Sequence, residues 1–344
     1  MPRKTGPLLT DIARIAGVSP ATVDRVLNRR PGVREATARR VLRAAADTGY
    51  LDEAEIGAAL RPRPLRLVFL LPAGTNPYLR LLGDTAKRLA ANPGDANATV
   101  RCFFIDSFNP EALAEALLRH GEKASGVAFM AIDHPLVREA VNALVAKGKQ
   151  VVTLVSDISN AARTAYVGLD NRSVGRTAAH LMGRFVGRGG GSVALIAASR
   201  TYRAHEEREM GFLGLMEEDF PGLRVVGVRE GHDDRDENYR HTLRLIAEYP
   251  DLVGIYNVGG SSDGIARALR EKGRGTEVVF IGHGLTPDTR RNLVEGVMDV
   301  VLTQSPELVA LNAMQIIRNA AEGSAAEAGV PRLAIEVVVK ENLP

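Results

Sequence analysis

The sequence has no tryptophan and a single cysteine, Cys102. No intramolecular disulfide can form, and a reducing compartment is expected. No run of about 18 apolar residues is present, which excludes a membrane-spanning helix of the usual kind. The first twenty positions carry Arg3, Lys4, Asp11 and Arg14 and so lack the apolar core of a secretory signal, and a cytoplasmic location is expected. Catalytic signatures are missing as well. There is no G-x-x-x-x-G-K-[ST], no G-x-S-x-G and no H-E-x-x-H. The histidines at 120, 134, 180, 205, 232, 241 and 283 show no metal-ligand spacing. The glycine-rich stretch 187–191 (G-R-G-G-G) precedes a strand, whereas a dinucleotide loop follows one. No enzyme activity, cofactor or metal is expected.

What is present is unevenly distributed. Formal net charge is +3 over 344 residues. Ten Lys/Arg against three acids fall in the first 43 positions, so a basic head precedes a mildly acidic body. A basic segment of this kind is the footprint of phosphate contacts, although a solvated basic face would look the same. Within it, residues 9–28 contain two short helical patterns. Thr10 is placed to cap the first, with Asp11 near the positive end of its dipole. Ile12, Ile15 and Ala16 form its apolar stripe, and Gly17 supplies the turn. Ser19 caps the second, Pro20 occupies its first position, and Val23, Val26 and Leu27 face inward. Helix, glycine turn and helix make a helix-turn-helix pattern, whose second helix would enter the DNA major groove.

Ala16-Gly17-Val18-Ser19 and Thr22-Val23-Asp24-Arg25-Val26-Leu27-Asn28 resemble the DNA-binding segment of the lactose-repressor (LacI/GalR) family, with Asp24 where serine is usual. The likeness runs on through residues 33–50, where Arg34 replaces a capping serine. The resemblance implies operator contacts from Thr10, Ser19, Pro20, Ala21, Thr22, Arg25, Asn28, Arg29 and Thr37. Arg25 can bond guanine bidentately. Pro20 and Ala21 offer thymine-methyl or close backbone contacts. Thr22, Asn28, Arg29 and Thr37 suit phosphates. Asp24 pairs with Arg25 or Arg29, or accepts from a cytosine amino group. Residues 51–64 form a linker closed by Pro62 and Pro64. In the family it becomes a hinge helix whose leucine, here Leu60, wedges into the minor groove. The acidic Asp52, Glu53 and Glu55 and the weak helix former Gly57 leave a plain flexible linker as the alternative.

From residue 65 apolar runs alternate with helical periodicity: strands near 65–71, 99–105, 127–132 and 150–155, then 192–197, 224–229, 252–256 and 277–281, with helices between. This rhythm implies parallel sheets covered by helices, in more units than one open sheet holds. The expected fold is a small all-α helix-turn-helix head (1–50), a linker (51–64) and an α/β body (65–344). The body would consist of two Rossmann-like subdomains with ligands bound at the strand ends. The body is similar to the type I periplasmic-binding-protein fold that serves such regulators as effector domain. The likeness rests on Asn76-Pro77-Tyr78, Val167-Gly168-Leu169-Asp170-Asn171, Arg208-Glu209-Met210-Gly211-Phe212, Tyr256-Asn257 and Gln304. It implies an N-subdomain of about 65–165 and 302–320 and a C-subdomain of about 167–293 and 333–340.

The implied ligand residues are Asn76, Tyr78, Asp157, Asp170, Asn171, Arg208, Asn257, His283 and Gln304. Such side chains give paired, directional bonds to vicinal hydroxyls, and a tyrosine ring covers an apolar sugar face. Asp170 and Asn171 could equally cap the next helix, and Asn257 could serve a turn. The family's usual G-[FY]-D loop reads Gly282-His283-Gly284 here, so a strong hydroxyl acceptor is replaced by an imidazole. The expected effector is therefore a sugar, sugar acid or related polyol, with an anionic one favoured by that exchange. The expected function is a ligand-responsive transcriptional regulator, a homodimeric repressor of a carbohydrate uptake or catabolism operon bound to double-stranded operator DNA. A transport-type sugar-binding protein and a sugar-metabolising enzyme are the alternatives.

Overall fold

Residues 8–28, 30, 32–52, 65–91 and 98–344 are described by the structure, a computed structural model. The chain divides into two units, Met1–Pro64 and Leu65–Pro344. Among the described residues no helix is long and apolar enough to cross a membrane.

The first unit holds α1 (Leu9–Ala16), α2 (Pro20–Leu27) and α3 (Glu35–Asp47). Gly17 ends α1 at φ 65°, a left-handed conformation that costs glycine little. Two sequence expectations for α1 need correction. Thr10 lies inside the helix, not at its cap; Leu8 is the cap residue, and the Asp11 carboxylate accepts from its N–H at 3.2 Å. Ile15 is 48% exposed, and the buried positions are Ile12, Ala13 and Ala16. The helix is only two turns long, so a small rotation exchanged Ile15 for Ala13. Ser19 caps α2 as its type suggests, its Oγ accepting from Thr22 N–H at 3.2 Å. Arg34 provides no side-chain cap to α3. Val23 and Val26 close the small core against Val41, Leu42, Ala44 and Ala45.

The second unit contains two sheets. The first comprises β1 (Leu65–Pro72), β2 (Ala98–Ile105), β3 (Gly126–Phe129), β4 (Gln150–Leu154) and β5 (Ala165–Val167), connected largely through α4 (Pro77–Ala91), α5 (Pro110–Gly121) and α6 (Pro135–Ala146). Its order is β2-β1-β3-β4-β5, every pair parallel. The second comprises β6 (Gly191–Ala197), β7 (Leu223–Glu230), β8 (Leu252–Asn257), β9 (Val279–His283), β10 (Val300–Thr303) and β11 (Glu336–Val338). Its helices are α7 (Asn171–Val186), α8 (Arg203–Asp219), α9 (Arg235–Glu248), α10 (Ser262–Glu271) and α11 (Pro287–Val294). Read from β7, its order is again second, first, third, fourth, fifth, with β11 added antiparallel to β10. A topological repeat thus exists that no sequence repeat announces.

Burial follows from the parallel arrangement: β1, β3 and β4 are continuously buried over residues 67–71, 126–129 and 151–154 because helices cover both faces. The chain passes between the halves more than once. It leaves the first sheet after β5, and after β10 it returns as α12 (Pro306–Ala321), whose Val309, Ala310, Ala313, Ile316 and Ile317 complete the first core. It ends on β11 in the second sheet. The first two crossings follow the carboxyl ends of β5 and β10, and the third enters β11 at Glu336, paired with Thr303 at the carboxyl end of β10; there an α/β sheet opens its binding crevice.

Candidate functional site

A cleft opens between the carboxyl ends of the two sheets, enclosing about 490 Å³ with its mouth included. The first half contributes Asn76 and Tyr78 after β1, Met130 after β3 and Val155 after β4. The second contributes Leu169 between β5 and α7, His205 and Arg208 on α8, Gly259 and Gly260 after β8, and His283 and Gly284 at the end of β9. Leu302, Thr303 and Gln304 close it at the end of β10.

Arg208 is the centre of this site. It is 6% exposed. Its Nε donates to Asn171 Oδ1 at 2.8 Å, and its Nη1 donates to the Val258 carbonyl at 3.0 Å. Burial pulls its basicity down, with nearby tyrosines acting the other way, but a guanidinium stays charged in a protein. The helix that carries it is placed by glycine. A Cβ on Gly175 of α7 would lie 2.0 Å from the Arg208 carbonyl oxygen, and one on Gly211 of α8 would lie 2.1 Å from that of Arg172. The two helices therefore meet backbone to backbone, which brings Asn171, the first residue of α7, within reach of Arg208.

Two imidazoles flank the guanidinium. His205 precedes Arg208 by three positions on the same face of α8. Burial, then the Arg208 charge, push its pKa down to about 3, and its Nδ1 lies 3.1 Å from the Ser199 carbonyl. His283 is held well below the usual histidine range by burial, then by Arg208 and His205. Its Nε2 is 2.8 Å from the Tyr256 hydroxyl. Burial raises the Tyr256 phenol, so it remains a neutral donor. Tyr78 donates to the Gln304 carbonyl at 3.3 Å, and Gln304 Oε1 is buried without a protein partner among the described residues.

The cleft's mouth is bridged. Asn76 Nδ2 donates to Asp233 Oδ2 at 3.0 Å, and Asp233 Oδ1 accepts from the Gly260 N–H at 2.5 Å. The Thr75 hydroxyl donates to the Asp233 carbonyl and lies 3.1 Å from Ser261 Oγ. Asp233 and Ser261 sit at φ 53° and 54°, backbone strain of the sort stored at functional loops. Burial raises the Asp233 carboxyl above the ordinary aspartate range.

Of the expected ligand residues, Asn76, Tyr78, Arg208, His283 and Gln304 line the cleft. Four expectations are corrected. Asp157 does not line it; its carboxylate accepts from Thr153 Oγ1 at 2.7 Å and pairs with Arg163. Asp170 is exposed and caps α7, accepting from the Ser173 N–H at 3.0 Å. Asn171 stands behind Arg208 and orients it. Asn257 donates to the Gly260 carbonyl at 2.8 Å and Ser262 Oγ at 2.9 Å, and so shapes the 258–261 turn. His205 and Asp233 were missed. The three-residue spacing to Arg208 could have exposed His205, but nothing local pointed to Asp233.

On the head, Ser19, Pro20, Ala21, Arg25 and Asn28 are exposed, and Thr22 and Thr37 are half-buried. Arg14, Arg25, Arg30, Arg34, Arg39, Arg40 and Arg43 are all exposed, so the unit presents a strongly basic surface. Asp24 is engaged by Asn28 Nδ2 at 2.6 Å and Arg30 Nη1 at 3.0 Å; of the two expected partners, Arg25 does not pair with it, and Arg29 lies outside the described residues. Arg29, Leu60 and the hinge question lie outside the described residues.

Residues 8–52 match the bacterial regulatory proteins of the lacI family, and residues 67–325 match the periplasmic binding protein domain. The chain is 54% identical over 43 residues to a sucrose operon repressor from Vibrio alginolyticus, a match covering 12% of this chain and 46% of that one. It is 28% identical over 282 residues to an uncharacterized HTH-type transcriptional regulator in the aml 5' region of Streptomyces limosus, covering 78% and 75% of the two chains. Among solved structures, a glucose-galactose binding protein from Geobacillus stearothermophilus superposes with a TM-score of 0.72 at 22% identity, over 82% of this chain and all of that one.

Proposed function

We propose, on the premise that this chain belongs to the periplasmic binding protein domain family and carries a lacI-family regulatory domain at its head, that it is a cytoplasmic transcriptional repressor. Its operator affinity is set by a sugar-related effector in the cleft. The observation that carries this reading is the union of a basic helix-turn-helix unit with a body whose polar side chains converge at the carboxyl ends of two sheets. The Vibrio relative is a sucrose operon repressor and the Streptomyces relative an HTH-type transcriptional regulator, which agrees with it.

Two heads of a homodimer would read a pseudo-palindromic operator. In each, Arg25 reads a base. Pro20 and Ala21 make close apolar contacts there, while Thr10, Ser19, Thr22, Asn28, Arg29 and Thr37 fix the register on phosphates. Leu60 is assigned to the minor groove. In the body, Arg208, held by Asn171, binds the effector together with Asn76, Tyr78, His283 and Gln304. The bridge from Thr75 and Asn76 to Asp233 and Ser261 sets how far the halves close. An effector that fits one degree of closure better than another shifts that equilibrium by its difference in affinity.

The test is enrichment of the organism's fragmented genomic DNA by the full chain, followed by sequencing. A short palindrome beside carbohydrate transport or catabolic genes is the expected result. Uniform recovery of random fragments at moderate salt would refute sequence-specific regulation.

A further inference from the structure

The cleft contains a buried guanidinium, Arg208, with no carboxylate in ion-pair contact among the described residues. Among the described residues that line it there is no aspartate or glutamate. Arg208 is bonded only to neutral acceptors, an amide oxygen and a backbone carbonyl, and its Nη2 has no protein acceptor among the described residues. Asp233 acts on Arg208 only through space; its two carboxylate oxygens are occupied by Asn76 and the Gly260 N–H, and it is not itself part of the lining. A buried guanidinium is strongly unfavourable unless it is paired. A neutral sugar would leave it so, offering only hydroxyl dipoles.

We infer that the effector is anionic, a monosaccharide-sized molecule whose carboxylate or phosphoryl oxygen pairs with Nη2 of Arg208. This rests on the cleft being the effector site proposed above. The surroundings fit that chemistry. His205 and His283 are neutral in the fold and so add no competing cation. His283 has its Nε2 engaged by the Tyr256 hydroxyl. Leu79, Met130, Val155 and Leu302 exclude water around the charged group, which strengthens a charge-assisted bond. Gln304, also in the lining, keeps an unpartnered Oε1 as an acceptor for a ligand hydroxyl.

The test uses the full chain in two arms. Calorimetric titration with D-glucuronate against D-glucose, D-galacturonate against D-galactose, and D-glucose 6-phosphate identifies which anion is preferred. Binding of an acid at least tenfold tighter than its neutral partner supports the inference; a neutral sugar that binds as tightly as its acid overturns it. The second arm needs no knowledge of the natural ligand. Inorganic phosphate is compared with sodium chloride at equal ionic strength by the thermal transition of the body. The expected result is a phosphate stabilisation clearly larger in the wild type and Arg208→Lys than in Arg208→Gln, where only the general salting-out effect of phosphate remains. Equal stabilisation by the two salts, or a phosphate effect as large in Arg208→Gln as in the wild type, overturns the inference. Neither arm reads DNA binding. An anion that binds through Arg208 but leaves DNA affinity unchanged would count against the regulatory reading and leave the ligand class intact.

Discussion

Replacing Gly175 with alanine tests whether the approach of α7 and α8 sets the ligand site. The new methyl would lie 2.0 Å from the Arg208 carbonyl oxygen and 2.9 Å from its Cα. Ordinary contact begins near 3.4 Å, so the helices must separate by about 1.4 Å or tilt. Backbone cannot yield as a side-chain tip can, so the cost lies at the upper end of overpacking, about 3 kcal/mol. Alanine's helix propensity returns up to about 1 kcal/mol, leaving a net loss of about 2 kcal/mol. For a unit of this size that corresponds to roughly 4 °C in the thermal transition of the body. The shift also stretches the 2.8 Å bond from Arg208 to Asn171, so effector affinity should fall along with stability. Gly214, on α8 with no atom within 4 Å of an added Cβ, supplies the control. Gly214→Ala should be neutral or stabilising. Scanning calorimetry of the two variants in the full chain decides the matter. If Gly175→Ala melts no lower than Gly214→Ala, the helices are not in the contact described and the account of how Arg208 is positioned fails.

Three further outcomes are expected. Arg25→Ala should narrow the gap between operator and random DNA by about 1–3 kcal/mol if its contact is bidentate; an unchanged ratio in fluorescence anisotropy would remove it from the base-reading set. Arg208→Ala should abolish the effector's influence on operator binding while leaving effector-free DNA binding near the wild-type value, and a preserved response would misplace the site. Acid should weaken the body, because His205 and His283 are neutral in the fold yet take up protons near pH 6.5 once unfolded. The unfolded state then binds more protons below that pH, so stability is full above it and falls as pH drops from 7.5 to 5, by about 2 kcal/mol for His205 and in the same direction for His283. Asp233 opposes this at the acid end, since its raised carboxyl favours the folded state on protonation. Denaturant titrations at the two pH values should therefore show a shallower loss in His283→Gln than in the wild type; equal losses would refute the assignment.

Much of this was visible in the sequence, for a physical reason. Strands buried on both faces are written as apolar runs, and residues 65–71 and 192–197 could be recognised without knowing their neighbours. The head was legible because caps and glycine turns are local: Ser19 and Gly17 act within three or four residues. Positions at strand ends also told which loops face the cleft, and Asn76, Tyr78, Arg208, His283 and Gln304 lie there. Whether a side chain points into the cleft depends on partners that local sequence does not reveal. Asp157 turns to Arg163, Asp170 is taken by its own helix end, and Asn171 is drawn behind Arg208, 37 residues away. The bridge at the mouth joins residues 157 positions apart, Asn76 and Asp233. Only the folded arrangement of the two sheets brings that pair together.

On the proposed function, ligand in the cleft and DNA at the head are thermodynamically coupled. Operator affinity should be measured with and without saturating effector, and effector affinity with and without saturating operator. Both should change, and by the same factor, because coupling between two binding sites is reciprocal. Operator affinity that is unmoved by an effector saturating the cleft would contradict that coupling.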